Sequence, residues 1–183
     1  MAQIKFITEN APDSPYETKY QDDETVWDVI NYIFNAEKTC GYIGGWAVDP
    51  AYAAYEMELT AKLFHNNKGV RLRHWTITFE EHELRRLESG LGCDRVMAVY
   101  RLGFAFSAYY RDRYQIVFAV HCDERPHLHI VMNTVSYVDG KKFSGNKTEY
   151  YHYEKYAKSV ARSYGFPIYI VKDHSATKYC HSY

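Results

Sequence analysis

Three of the chain's nine histidines fall within one short segment, at His121, His127 and His129. In a β-strand successive side chains alternate faces, so His127 and His129 project from the same face, roughly 6.6–7 Å apart along the strand. Two imidazoles at that spacing can share a metal ion. Residues 114–120 read as another strand, and the link Cys122-Asp123-Glu124-Arg125-Pro126 can return the chain antiparallel beside it. That turn carries His121 back toward the His127/His129 face. Three imidazoles leave coordination positions open, as in a metal centre that handles a substrate rather than one that only staples a fold. Asp123 is placed to accept from the non-ligating nitrogen of a metal histidine, fixing its tautomer. Asn133 falls on the same strand face as His127 and His129 and either contacts a ligand or hydrogen-bonds a strand edge.

The elements that must position this cluster can be read from periodicity. A first strand spans about 2–8 and is followed by a loop, 9–15, that holds two prolines. Val26, Val29, Ile30 and Ile33 predict a helix over 23–34, with acidic residues in its first turn. Residues 40–46 read as a glycine-rich connection. Asp49-Pro50 is an N-cap with proline at the first helical position, opening a helix over about 50–65 whose Tyr52, Tyr55, Leu59 and Leu63 stripe is assigned to the core. Residues 71–79 alternate with period two, which puts Trp75, Ile77 and Phe79 on one face and His74, Thr76 and Thr78 on the other. Helices at about 94–111 and 149–164 and a short strand at 168–171 complete the pattern. The order of elements predicts an α+β fold with a largely antiparallel central sheet and flanking helices packed on one face.

At 183 residues the chain is expected to form one domain, 1–183, either complete in itself or the N-terminal part of a longer protein. A 46% hydrophobic and 25% charged composition is globular rather than disordered, and no apolar run reaches the length of a membrane span. The start of the chain alternates like a strand and lacks the apolar stretch of a signal peptide. Four scattered cysteines give neither a zinc-knuckle spacing nor a disulfide framework. An intracellular, cytoplasmic protein is the expectation. The formal charge of −1 conceals an uneven distribution: residues 1–60 carry a net −8 and residues 61–183 a net +7, so the second part can present a positive face to nucleic acid. Nineteen tyrosines supply core aromatics, stacking platforms and candidate nucleophiles. No Walker loop, Gly-x-Ser-x-Gly elbow or Gly-x-Gly-x-x-Gly turn is present, which removes the phosphate-cradle, acyl-transfer and dinucleotide classes.

Four segments together resemble the relaxase or mobilisation nuclease family of His-hydrophobe-His endonucleases. They are Tyr32 with Asn35-Ala36-Glu37-Lys38-Thr39, Val48-Asp49-Pro50 with its helix, Arg73-His74-Trp75-Thr76-Ile77-Thr78-Phe79, and His121-x-Asp123 with His127-Leu128-His129, followed by Asp139-Gly140-Lys141-Lys142-Phe143. The resemblance runs over about 25–170. It departs from the family pattern at Ala36, where proline is common.

What the resemblance implies is a site- and strand-specific nick at an origin of transfer in a bacterial cytoplasm, with Tyr32 as nucleophile and a 5′-phosphotyrosyl intermediate. Tyr20 and Tyr42 are the alternative nucleophiles. His121, His127 and His129 would hold a divalent metal, Mg²⁺ or Mn²⁺ in function and Zn²⁺ or Ni²⁺ in a crystal. His74 and Asp123 are candidates for proton transfer or phosphate contact, and Arg125, Asn133, Lys141 and Lys142 for DNA binding. Partners would be single-stranded or hairpin origin DNA, with accessory DNA-binding and coupling proteins and no membrane. Two other classes stay open: a replication initiator of the same chemistry, and a non-catalytic module that grips DNA or protein on the same fold.

Overall fold

The computed structural model describes residues 1–7, 20–21, 23–39, 41–123 and 125–171. Six strands form one sheet: β1 (Ala2–Ile7), β2 (Ile43–Trp46), β3 (Leu72–Thr78), β4 (Ile116–His121), β5 (His127–Asn133) and β6 (Ile168–Ile170), in the order β2-β4-β5-β3-β1-β6. Every pairing is antiparallel except β1 with β6. The helices are α1 (Asp23–Ile33), α2 (Ala36–Thr39), α3 (Ala53–Leu63), α4 (Glu81–Leu91), α5 (Arg95–Ser107) and α6 (Lys147–Ser163). The α+β class with a largely antiparallel sheet is therefore observed.

Strand alternation divides the interior in two. Trp75 and Ile77 of β3, Ile116, Phe118 and Val120 of β4, and Leu128, Ile130 and Met132 of β5 point to one face, where they pack with Leu84 and Leu87 of α4, Leu102 and Phe106 of α5, and Tyr153 of α6. Leu72, Val117, Ala119 and Val131 point to the other, under Val26, Ile30 and Ile33 of α1 and Ala53, Ala54 and Met57 of α3. Helices therefore cover both faces rather than one. The end of the second face next to the C-terminus of α1 carries the histidines.

Three local readings are corrected. Residues 43–46, read as a connection, form edge strand β2 against β4. A Cβ at Gly44 would come within 2.5 Å of the Phe118 ring, so glycine is required there by close packing and hides the strand signal. The segment left unassigned before 94 contains α4, opened by a reciprocal capping box between Glu80 and Glu83 and closed by Gly92 in the left-handed conformation at φ 61°. Third, the Tyr52, Tyr55, Leu59 and Leu63 stripe is exposed, because α3 turns its small residues Ala53, Ala54 and Ala61, with Met57, to the sheet. The predicted Asp49 cap is present: its carboxylate accepts from Ala51 N at 2.9 Å, over a single 3₁₀ turn (Pro50–Tyr52) that leads into α3. The predicted loop at 9–15 lies outside the described residues.

Candidate active site

Strands β4 and β5 run antiparallel as expected, and His121 pairs directly with His127 across them. His129 lies two residues further along β5, between Ala119 of β4 and Thr76 of β3. Small neighbours on both sides leave room for its ring. Ligand nitrogens of His121, His127 and His129 lie within 4.8 Å of one another, and this is the group of metal-ligating character found among the described residues.

The second nitrogen of each ring already has a partner. His121 Nε2 lies 3.0 Å from Ile33 O, one of the carbonyls that the end of α1 leaves without an intrahelical partner. His127 Nδ1 lies 2.9 Å from Arg125 O, with Asp123 Oδ1 at 3.6 Å. A carbonyl can only accept, so these nitrogens carry the protons, and His121 Nδ1 and His127 Nε2 keep lone pairs. His129 Nδ1 lies 2.9 Å from His74 Nε2; when it donates there, His129 Nε2 is the third lone pair. Burial, followed by the fields of His74, His121 and His127, pushes His129 down to about 2, and burial lowers His121 as well. Burial thus favours the neutral form of His129 and His121, the form that metal ligation needs.

Tyr32 packs against this cluster. Its ring centroid is 5.6 Å from those of both His121 and His129, edge-on to each, and its side chain is 48% exposed. The α1 helix places it there because Val26, Ile30 and Ile33 are buried in the core, which leaves Tyr32 at the rim of the sheet face. Lys38 completes the arrangement, with its ammonium 4.7 Å from the centroid of the Tyr32 ring. The short helix α2 holds it: Asn35 Oδ1 accepts from Glu37 N at 2.9 Å, and Lys38 O accepts from Cys122 N at 2.7 Å, at the end of β4.

The family model for the MobA/VirD2-like relaxase nuclease domain matches residues 32–166, about three quarters of the chain. The chain belongs to this relaxase family. Comparison with curated proteins and with solved structures finds no match. The match begins at Tyr32 and takes in the histidine cluster. A relaxase domain of this family is a nuclease that acts on single-stranded origin-of-transfer DNA, generally with a divalent metal. The residues fit such a metal: three converging imidazoles, each with a lone pair free once its other nitrogen is hydrogen-bonded. Among the described residues no helix is long and apolar enough to cross a membrane.

The remaining candidates of the relaxase separate by position. His74 is buried behind His129, with Nδ1 3.4 Å from Tyr20 Oη, and Asp123 sits beside His127, so both are placed to orient ligands. Arg125 is at the same end of the sheet, 3.1 Å from Glu80 Oε2. Asn133 shares the histidine face as alternation requires, but it is only 2% exposed, and its amide nitrogen donates to Met57 O at 3.1 Å and Gln115 Oε1 at 2.9 Å. Its role in the fold is to tie β5 to α3, not to meet DNA. It also lies six residues along β5 from His127, about 20 Å away. Lys141 and Lys142 are further still, where Lys142 pairs with Val135 and its ammonium donates to Lys68 O and to Val70 O. Neither lysine joins the histidine site.

Of the alternative tyrosines, Tyr20 is buried behind His74, and Tyr42 packs on Tyr100 at the opposite face. Lys38 is the site residue that the sequence reading did not single out. It stands in the Asn35–Thr39 run, six residues after Tyr32, and nothing in the run alone shows that the chain folds back.

Proposed function

We propose that the chain nicks single-stranded origin-of-transfer DNA through Tyr32, leaving a 5′-phosphotyrosyl link and a free 3′-hydroxyl, and so initiates conjugative mobilisation in a bacterial cytoplasm. The observation that carries this reading is the packing of Tyr32, about half exposed, on two of three histidines that converge. A divalent metal held by His121, His127 and His129 would polarise the scissile phosphate and offset its developing charge.

The work of the chain's own residues follows from their positions. Tyr32 Oη forms a bond to phosphorus as the bond from phosphorus to the 3′ oxygen breaks. The phenol gives up its proton and the departing 3′ oxygen takes one up, so the net protonation is unchanged. Lys38 brings a cation to the same side of the phenol, where it attracts the phosphate and draws the strand onto the nucleophile. His74 and Asp123 act behind the ligands by holding the His129 and His127 tautomers. Arg125, exposed beside His127, meets the backbone of the strand. The covalent link conserves the energy of the cut for rejoining.

The test is incubation of the protein with single-stranded origin DNA and Mn²⁺, followed by denaturing electrophoresis. A covalent adduct is expected with the wild type. Tyr32→Phe should abolish it while metal and DNA binding persist. An adduct that survives Tyr32→Phe would move the nucleophile elsewhere, and retained DNA binding with no adduct from the wild type would make the chain a binding module.

A further inference from the structure

Next to Tyr32, on the side away from His121, the structure has a cavity of about 460 Å³. Four of its lining residues, Thr25, Asp28, Val29 and Tyr32, stand at i, i+3, i+4 and i+7 on α1 and so share one flank of that helix. Ile7 of β1, His74 of β3 and Tyr20 are the other described residues of the lining. The wall is mainly apolar and aromatic, and Tyr32 belongs to both the cavity and the histidine site. Asp28, on the exposed side of α1, is the one carboxylate among the described residues of that lining. Among the described residues its side chain makes no ion pair or hydrogen bond, although Trp27 beside it is tied to Glu58 at 2.7 Å.

A carboxylate beside the path of a polyphosphate strand repels the backbone. It is compatible with DNA binding where it meets donors on a base. We propose that this cavity takes the base next to the scissile phosphate and that Asp28 selects guanine there. An ionised carboxylate only accepts, through two oxygens set side by side. Of the four bases, guanine alone offers two parallel N–H donors, N1–H and N2–H, on one edge, and that edge is open in a single strand. Tyr20, Val29 and Ile7 supply the apolar and aromatic surface against which a base face packs. The shared Tyr32 places the bound base one nucleotide from the phosphorus it attacks. The inference rests on the nicking reading for the identity of the ligand as a single DNA strand.

Two measurements test it and separate its failure from that of the nicking reading. In the first, dGMP, dAMP, dCMP and dTMP are titrated into the metal-free protein and binding is followed by NMR. A preference for dGMP of about tenfold is expected, the size of one bidentate base contact, and Asp28→Asn and Asp28→Ala should both remove it. Equal response to the four nucleotides, or a dGMP preference that survives both substitutions, would overturn the proposal. In the second, covalent adducts formed with a randomised single strand are sequenced. Guanine should be enriched at one position flanking the cut with wild-type protein and lose that enrichment with Asp28→Asn, while the adduct yield on the unselected pool is retained. Adducts without such enrichment would reject the guanine pocket and leave nicking intact. Absence of any wild-type adduct, with dGMP selectivity that depends on Asp28, would reject nicking and leave the pocket.

Discussion

The two faces of the sheet are built from the same strands and do different work. Phe118 and Ala119 are neighbours on β4, yet one fills the core with α5 and the other makes room for His129. On the first face nearly every inward residue is apolar, and aromatic rings interlock: Phe118 meets Phe104 at 4.8 Å and Tyr100 at 5.8 Å between centroids. On the second face His74, His121 and His129 are buried among polar partners at the open end of α1. Alternation lets one set of strands carry stability on one side and chemistry on the other. A change on one face should therefore have little effect on the property carried by the other.

The sharpest way to break that separation is to remove the Phe118 ring. It packs against Gly103 and Gly44, where an added Cβ would lie 2.3 and 2.5 Å from it, so no side chain stands behind to fill the void. Phe118→Ala is expected to cost about 3–5 kcal/mol, at the upper end of that range because the glycines cannot collapse into the space. Urea denaturation of the metal-free protein measures this. Below its lowered melting point, the variant should bind metal as the wild type does. A loss of metal affinity equal to that of a histidine ligand variant would show that the faces are coupled.

A smaller effect, on the other face, is expected from His74. It touches none of the reacting atoms in the proposed nick and acts as a positioning residue for His129. His74→Leu keeps the bulk but leaves the His129 Nδ1 proton without its acceptor. Metal affinity should fall about 10–100-fold, the usual consequence of losing an outer-shell partner. His74→Gln, whose side-chain oxygen can accept, should recover part of it. Equal affinities for the two variants would mean that His74 merely packs. Isothermal titration with Mn²⁺ reads both.

The same contrast explains what could be read from the chain. Alternation along 71–79 separates Trp75 and Ile77 from His74 and Thr76 as observed, and along 127–133 it puts His127, His129 and Asn133 on one face, because strand period depends only on local geometry. His121 also came back to His127 as expected, since the five-residue link allows little else. Elsewhere the deciding partner was distant in sequence. The exposed Tyr52, Tyr55, Leu59 and Leu63 stripe was assigned to the core because bulky apolar residues outweigh alanine in any local count, whereas the sheet face above Val117 and Val131 is close enough to prefer the small side of α3. Asn133 has a functional residue type at a functional spacing, and only the positions of Met57 and Gln115 reveal that its amide is engaged. Lys141 and Lys142 sit in the basic part of the chain, but the strand direction sends them to the far end of the molecule. The helix α4 is missed for a different reason: Leu84, Leu87 and Leu91 share one side of it and glycine follows at 92, but with only 11 residues crowded with charge its apolar stripe is narrow.

The smallest expected effect is on the pH dependence of stability, and it also distinguishes the faces. Burial lowers His129, to about 2, and lowers His121, each from an ordinary value of 6.5. In the unfolded chain both histidines protonate as pH falls through 6.5, while in the folded protein each takes up its proton only at lower pH. The unfolded state then binds more protons, so the stability that is fully present above 6.5 is lost as pH falls, in the case of His129 down toward 2. Each histidine contributes a slope of up to about 1.4 kcal/mol per pH unit. Denaturation of the metal-free protein between pH 6.5 and 5 reads this before most carboxylates titrate. His129→Gln should lower the slope by roughly one proton's share. Phe118→Ala, on the opposite face, should reduce stability at every pH and leave the slope unchanged. A slope that changes equally in both variants would mean that the buried histidines and the aromatic core melt as one unit, and that the division of labour between the faces ends with the strand pattern itself.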